Sequence, residues 1–181
     1  DWNCDPLTPS HCALPFPSTY FMEENDETET GWSVALGEKT IPKNIDYVQP
    51  APTFFNENDG YSPVTPLITH MPGATITGLI SHTDLSAYMN DDARTVIIDT
   101  ETGEKVPHFT ELDMTTEDDT QRMMLIHPVE PLRHGGRYVV GIQGVVDASG
   151  APLEASAEFA ALRDNVDADD PRIDCRRDTY E

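Results

Sequence analysis

The chain has 181 residues, with 33 acidic and 11 basic side chains and a net charge of −22. This charge disfavours nucleic acid and anionic membrane surfaces as partners, because both would repel the protein. No apolar run approaches the roughly 20 residues that a membrane-spanning helix needs. The length suits one hydrophobic core, and 15 prolines favour long ordered loops around it.

Residues 1–65 predict a loop-rich N-terminal arm that packs on the core or on a partner. Within it, the segment 14–21 (LPFPSTYF) carries four large apolar side chains between prolines, so it is too apolar for a free linker. An acidic loop follows at 24–30, and a short strand-like piece, WSVAL, begins at Trp32. A second aromatic loop is predicted at 51–63.

Residues 66–163 predict an antiparallel β-sandwich, because short strand-like runs recur with turn signals between them. The candidate strands lie at 66–71, 74–80, 96–98, 106–109 and 122–128, and a short helix is predicted at 85–89 after Asp84. The runs at 96–98 and 106–109 predict a hairpin that turns around Thr102 and Gly103. The last stretch, 155–163, fits either a final strand or a helical turn.

The segment 131–153 gives the clearest β signal in the chain. Between Arg137 and Val146 two sets of residues alternate, so that one set can face a core and the other a second surface. Asp147 and Gly150 then predict a turn, since an aspartate side chain can bond its own backbone and glycine adopts positive φ without strain.

Residues 164–181 predict an acidic linker and the start of a helix. Asp170 suits the N-cap and Pro171 the first helical position. Ile173 and Tyr180 lie seven residues apart, on one face of that helix. The pattern contains no C-cap glycine, which favours a longer polypeptide with a downstream domain; the alternative is an ordinary frayed terminus.

Three cysteines indicate the redox environment. Cys4 and Cys12 lie eight residues apart in a proline-containing segment that cannot form a helix, which favours a local disulfide. The alternative is a metal pair helped by His11, although further ligands at a recognisable spacing are absent. A disulfide implies a secreted, periplasmic or cell-surface location. Cys175 is then left for a partner outside the chain or as a free thiol.

One small-ligand site is predicted, for calcium, at Asn56, Asn58 and Asp59. These oxygen-bearing side chains precede a turn glycine, and hard cations prefer oxygen ligands. The segment lacks the order of a calcium-binding EF-hand loop. The alternative is an Asx-turn in which Asn58 and Asp59 bond their own backbone.

No complete active site is visible in the sequence, so no catalytic residue is assigned. The nucleophile elbow G-x-S-x-G is absent, and the histidines form no metal-binding motif. His70, His108 and His127 are predicted to be half-buried and bonded to backbone, although a triad assembled in space from His70 or His127 is a second possibility.

Residues 94–162 resemble the bacterial Ig-like modules of secreted and surface proteins. These modules have a P-x-x-L-x-x-G-x-x-Y-x-V strand before D-x-x-G-x-P-L. The matching positions here are Pro131, Gly135, Tyr138, Val140, Asp147, Gly150, Pro152 and Leu153. The resemblance implies an Ig-like β-sandwich and carries little information on function, because that fold has many roles.

The whole chain is also similar to N-terminal regions of large secreted bacterial proteins in which an α/β-hydrolase-type domain follows. The segments that carry this similarity are 4–6, 11–21, 58–66, 99–107 and 169–181. It implies the non-catalytic N-terminal β-sandwich portion of an esterase-, lipase- or depolymerase-like protein, which positions or shields a catalytic domain beyond Glu181. Its partner is then a downstream domain or a second chain of the same protein. The alternative is a free-standing extracellular surface, adhesion or polymer-binding module that uses calcium.

Overall fold

The computed structural model describes residues 4–180, which form two units of mainly antiparallel β structure with a few short helices. The central unit is Gly60–Leu153. The terminal unit combines the described residues up to Asp59 with those from Glu154 onwards. These divisions differ from the boundaries expected at 65 and 163, and the stretch 155–163 groups with the N-terminal residues.

The central unit contains two antiparallel sheets. In the three-stranded sheet β6 (Met123–Pro128) lies between β3 (Leu67–His70) and β5 (His108–Leu112). In the other, β4 (Thr95–Asp99) pairs with β7 (Tyr138–Ile142). The mainly β, antiparallel character predicted from the sequence is therefore confirmed.

Alternating burial along β4 and β5 explains how the core of the central unit forms. Every second residue of these strands is buried, as the two-residue period of a strand requires when one face meets a core. Side chains from both sheets contribute to one cluster, whose buried members are Ala74, Ile97, Leu112, Met124, Ile126 and Val145.

One strand prediction is wrong, and one predicted hairpin is only partly formed. The stretch 74–80 forms no strand, because its backbone turns at Gly78, which has a φ of 75°. The hairpin predicted between 96–98 and 106–109 forms only next to its turn, where Ile98 and Lys105 make an antiparallel bridge and the Val106 N–H donates to the Ile97 carbonyl at 2.8 Å. Beyond that bridge β4 and β5 enter different sheets, each with a partner distant in sequence.

The predicted turn after β7 is confirmed. The Asp147 carboxylate accepts hydrogen bonds from the backbone N–H groups of Ser149, at 2.8 Å, and Ala151, at 3.0 Å. Gly150 has a φ of 84°, a conformation that side chains other than glycine rarely adopt. The turn brings Val146 and Pro152 into an antiparallel bridge.

The terminal unit contains a two-stranded sheet and three short helices. β1 (Met22–Glu24) and β2 (Trp32–Val34) pair antiparallel. The helices are α1 (Ala157–Arg163), α2 (Pro171–Asp174) and α3 (Arg177–Tyr180). The sequence predicted either a final strand or a helical turn at 155–163, and the structure has a helix there. Asp170 caps α2 as predicted, since its carboxylate accepts the Arg172 N–H at 3.0 Å.

The apolar segment 14–21 is packed rather than free, as predicted. Leu14 and Phe21 are both buried. A second small core joins Ala161 and Leu162 of α1 to Ile173 of α2. Among residues 4–180, no helix has the length and apolarity needed to span a membrane.

A buried polar network in the central unit involves His108, which is fully buried. Its Nδ1 donates to the Val106 carbonyl at 2.8 Å, so Nε2 carries no proton and accepts from the Thr95 hydroxyl at 3.1 Å. Thr95 in turn accepts from Thr110 at 3.0 Å. This arrangement satisfies both ring nitrogens of a neutral imidazole.

The stability of the central unit is expected to fall as the pH drops below about 6.5, the unfolded value for histidine. Burial lowers the pKa of His108, so the unfolded chain binds this proton more readily than the folded one. The stability that His108 contributes is fully present above the unfolded pKa of histidine. It is lost as the pH falls towards the lower pKa of His108 in the folded state. Urea unfolding across this range should show a slope of up to about 1.4 kcal/mol per pH unit from this group.

His108→Gln should remove that slope, whereas His134→Gln, at an exposed histidine, should keep it. Equal slopes in the two variants would contradict the assignment to His108.

Candidate functional site

The most exposed large apolar side chains of the terminal unit lie in residues 41–55, here called the apolar loop. Ile45 is 93% exposed, Tyr47 84% and Phe54 73%. Val48 and Phe55 are also exposed. Single exposed apolar residues are common on protein surfaces, but five within eleven consecutive residues form a concentrated group.

Hydrogen bonds made by the Asn44 side chain and backbone hold the tip of the apolar loop in one conformation. The Asn44 side-chain oxygen accepts the N–H groups of Asp46 and Val48, both at 2.9 Å. The Asn44 N–H donates to the Val48 carbonyl at 3.0 Å, which closes the turn. Tyr47 has a φ of 60°, in the left-handed region that non-glycine residues seldom occupy. Ile45 and Tyr47 are therefore displayed on an ordered turn.

The second part of the apolar loop is an aromatic pair. Pro52–Phe54 forms a 3-10 turn, in which the Pro52 carbonyl accepts the Phe55 N–H at 2.9 Å. The rings of Phe54 and Phe55 lie 5.9 Å apart, edge to face. This contact is favourable for aromatic rings and fixes the two rings relative to each other.

The apolar loop differs in charge from the rest of the chain. Its only charged residues are Lys43 and Asp46, so it is neutral within a chain of net charge −22. A neutral apolar surface binds another uncharged apolar surface with little electrostatic cost, whereas the remaining acidic surface repels anions. The loop therefore favours an uncharged partner.

The residues predicted to bind calcium lie next to this loop and have structural roles. The Asn56 side chain accepts the Leu36 N–H at 2.9 Å and donates to the Leu36 carbonyl at 3.0 Å. Asn58 donates to the Phe55 carbonyl at 2.8 Å, and the Asp59 carbonyl accepts from Thr30. Calcium binding remains a prediction.

Metal ligands are not grouped elsewhere in the described chain. Within residues 4–180, no three His, Cys, Asp or Glu side chains lie close enough to hold a metal ion.

The disulfide between Cys4 and Cys12 is present, as predicted, with Cα atoms 4.3 Å apart. The Asp5 N–H donates to the Cys12 carbonyl at 3.1 Å within the small loop that the disulfide closes. Of the described cysteines, Cys175 is exposed and carries a free thiol.

Two arginines from the C-terminal helices bind this disulfide loop. Arg172 donates to the Cys4 carbonyl at 2.8 Å and forms an ion pair with Asp170. Hydrogen bonding to Arg172 lowers the pKa of Asp170 to about 2. Arg176 donates to the carboxylate of Asp5 at 2.6 Å, where both side chains are almost fully buried. The ends of the described chain are therefore joined within one unit.

The predicted histidines take different environments. The Nε2 of His70 donates to the Thr120 carbonyl at 2.8 Å, and His108 bonds backbone as described above, so the predicted backbone bonds are confirmed, although both side chains are buried rather than half-buried. His127 instead stacks on Phe109, with ring centroids 4.7 Å apart. Its Nε2 lies 3.0 Å from a Glu111 carboxylate oxygen, although the angle falls outside hydrogen-bond geometry.

The aromatic stretch 51–63 was predictable from the sequence, whereas the exposed tip at Ile45 and Tyr47 was not predicted. A usable signal exists: the short stretch between Pro42 and Pro50 has no net charge, because Lys43 and Asp46 cancel, in an otherwise acidic chain. Exposure itself depends on which residues pack nearby, and a single sequence does not contain that information directly.

No protein-family model, curated protein or solved structure matches this chain.

Proposed function

We propose that the chain is the non-catalytic N-terminal portion of a larger secreted bacterial hydrolase, in which it positions or shields a catalytic domain beyond Glu181. In this proposal the central unit is an Ig-like β-sandwich, and the apolar loop is the surface that contacts the neighbouring domain. The observation that carries the proposal is the ordered, highly exposed tip at Ile45 and Tyr47 of the apolar loop, which has no net charge.

The apolar loop supports a partner more strongly than the segment 14–21 does. In that segment Leu14 and Phe21 are already buried, and Phe16 and Tyr20 are partly buried, so less apolar surface is left for a partner. Ile45 and Tyr47 remain exposed although their backbone is ordered by hydrogen bonds. Covering such side chains would gain roughly 25 cal/mol for each Å² of apolar area removed from water.

Two further features support parts of the proposal. The Cys4–Cys12 disulfide is weakly consistent with an extracellular location, because such bonds persist in oxidising compartments. The two antiparallel sheets of the central unit share one core, as the layers of a β-sandwich do. The hydrolase assignment itself depends on the resemblance of residues 4–181 to N-terminal regions of secreted hydrolases.

The second candidate function is a free-standing module that binds an insoluble polymer. The exposed Phe54 and Phe55 rings, held edge to face, favour it, because rigid aromatic side chains lose little conformational entropy on binding. The high exposure of Tyr47 fits the same role.

The first test is the intact mass of the native protein, before and after reduction, combined with hydrogen exchange of residues 41–55. The hydrolase proposal expects a species larger than 20.1 kDa. It also expects exchange in the apolar loop to be at least about tenfold slower in that species than in the 181-residue chain. A native species near 20.1 kDa would overturn it, and so would a larger species with equally fast exchange in the loop.

A double variant, Tyr47→Ser with Phe54→Ser, is expected to weaken contact with the neighbouring domain and to restore fast exchange in the loop. Ile76→Ser is the matched control, since Ile76 is an exposed apolar residue of the central unit. Binding of the 181-residue chain to polyester particles, lost in the double variant and kept in the control, would instead favour the polymer-binding module.

A further inference from the structure

Arg94, just before β4 in the central unit, is the basis of a second site. Its guanidinium lies beside two glycines that are distant in sequence. A Cβ added to Gly78 would lie 2.2 Å from the Arg94 Nε, and one added to Gly144 would lie 2.8 Å from an Arg94 terminal nitrogen. Both glycines have positive φ. The space for the guanidinium thus depends on the absence of side chains at Gly78 and Gly144.

The backbone around Arg94 is held firmly. The Arg94 carbonyl accepts the Gln143 N–H at 2.9 Å, and the Gln143 side chain donates to the Ala93 carbonyl at 3.0 Å. On the opposite side, the Ile80 carbonyl accepts the Thr110 N–H at 2.8 Å. These bonds keep Arg94 and the Gly78–Ile80 segment in place.

Arg94 has no hydrogen-bond or ion-pair partner for its guanidinium among residues 4–180. Five other arginines form ion pairs with carboxylates: Arg133, Arg163, Arg172, Arg176 and Arg177. Arg122 is also half-buried without an ion pair, but its guanidinium donates to the Thr116 and Glu117 carbonyls, whereas Arg94 has no such bond. Guanidinium groups bind carboxylates through paired hydrogen bonds, so a carboxylate is a suitable partner for Arg94.

The guanidinium borders a groove of about 460 Å³. Leu79 and Ala87 are its partly exposed apolar lining residues, and Asn90 and Asp92 line it with Arg94. The rim is ordered, because Lys105 donates to the carbonyls of Met89, at 3.1 Å, and Asn90, at 3.2 Å. Asp92 disfavours a multiply charged anion such as phosphate through like-charge repulsion.

We propose that this groove binds a small monocarboxylate, with the carboxylate on Arg94 and a short apolar body against Leu79 and Ala87. The proposal is independent of the function proposed above, since it uses only the central unit.

The test is a titration of the 181-residue chain with sodium butyrate at constant ionic strength, followed by ¹H–¹⁵N NMR. Saturable shifts are expected at the amides of Gly78 and Gly144. Butyramide, which has the same apolar body without the charge, should bind at least about tenfold more weakly. Absent or non-saturating shifts, or equal affinity for butyramide, would overturn the proposal.

Variants assign the binding to Arg94. Arg94→Gln should weaken butyrate binding at least about tenfold. Arg137→Gln is the control, because Arg137 is an exposed arginine of the same unit, and it should bind like the parent chain. Equal weakening in both variants would contradict the proposed site. If Arg94→Gln fails to fold, Arg94→Lys replaces it, and unchanged affinity in that variant would count against paired hydrogen bonding.

Discussion

Replacing Arg176 with methionine is expected to destabilise the terminal unit by about 3–5 kcal/mol. The substitution leaves the buried Asp5 carboxylate without its cation and retains most of the apolar volume of the side chain. The guanidinium of Arg176 also lies over the rings of Tyr20 and Tyr180, at 5.2 and 5.5 Å from their centroids, and these contacts are lost as well. Chemical denaturation followed by hydrogen exchange of peptides from each unit measures the effect.

Two comparisons isolate the role of burial in this result. Arg163→Met removes an exposed ion pair with Asp164 and should change the free energy of unfolding far less. Adding Asp5→Asn to Arg176→Met should recover part of the loss, because an amide carries no charge that needs compensation. A loss in Arg176→Met no larger than in Arg163→Met would contradict the importance of the buried pair.

The same pair predicts a pH dependence in the variant. Burial raises the pKa of Asp5 even though Arg176 opposes the shift. Without Arg176 the folded state binds this proton still more readily than the unfolded chain. The destabilisation in Arg176→Met should therefore be smaller at about pH 4 than at about pH 7.

Met124→Ala is expected to destabilise the central unit by about 2–5 kcal/mol. Met124 is fully buried in β6 and belongs to the cluster that both sheets share, so truncation leaves a cavity that its neighbours fill only partly. Urea unfolding of the parent chain and the variant, with hydrogen exchange at β4 and β6, measures the change.

Met114→Ala is the matched control, because it removes the same atoms from a side chain that is 65% exposed. Its effect should stay within about 0.5 kcal/mol. Met124→Leu, which nearly conserves volume, should cost less than about 1.5 kcal/mol. Equal effects of the two alanine variants would mean that Met124 does not contribute to a packed core.

Local features of this fold could be predicted from the sequence. The turn at Asp147, the cap at Asp170 and the disulfide between Cys4 and Cys12 each depend on chemistry within a few residues. The partner of each strand could not be predicted in this way. β4 pairs with β7 about 40 residues away, and a two-residue period indicates a strand without naming its partner.

Neither candidate site could be predicted from the sequence, and the reasons are related. Whether Tyr47 is exposed depends on how the residues around it pack, which the sequence alone does not show. The position of Arg94 depends on Gly78 and Gly144, which lie 16 residues before and 50 residues after it. Gly78 also ended the predicted strand at 74–80, so one residue accounts both for a wrong prediction and for part of a site.

The division of the terminal unit between the two ends of the chain has a consequence during synthesis. Asp5 leaves the ribosome long before Arg176, whereas the central unit emerges whole and can fold before α2 exists. Cys12 follows Cys4 by eight residues, but Cys175 follows Cys12 by 163. At translation rates of about 5–20 residues per second, Cys4 and Cys12 can meet on the order of ten seconds before Cys175 is synthesised. The order of emergence therefore favours the native disulfide and leaves Cys175 as the thiol without a partner.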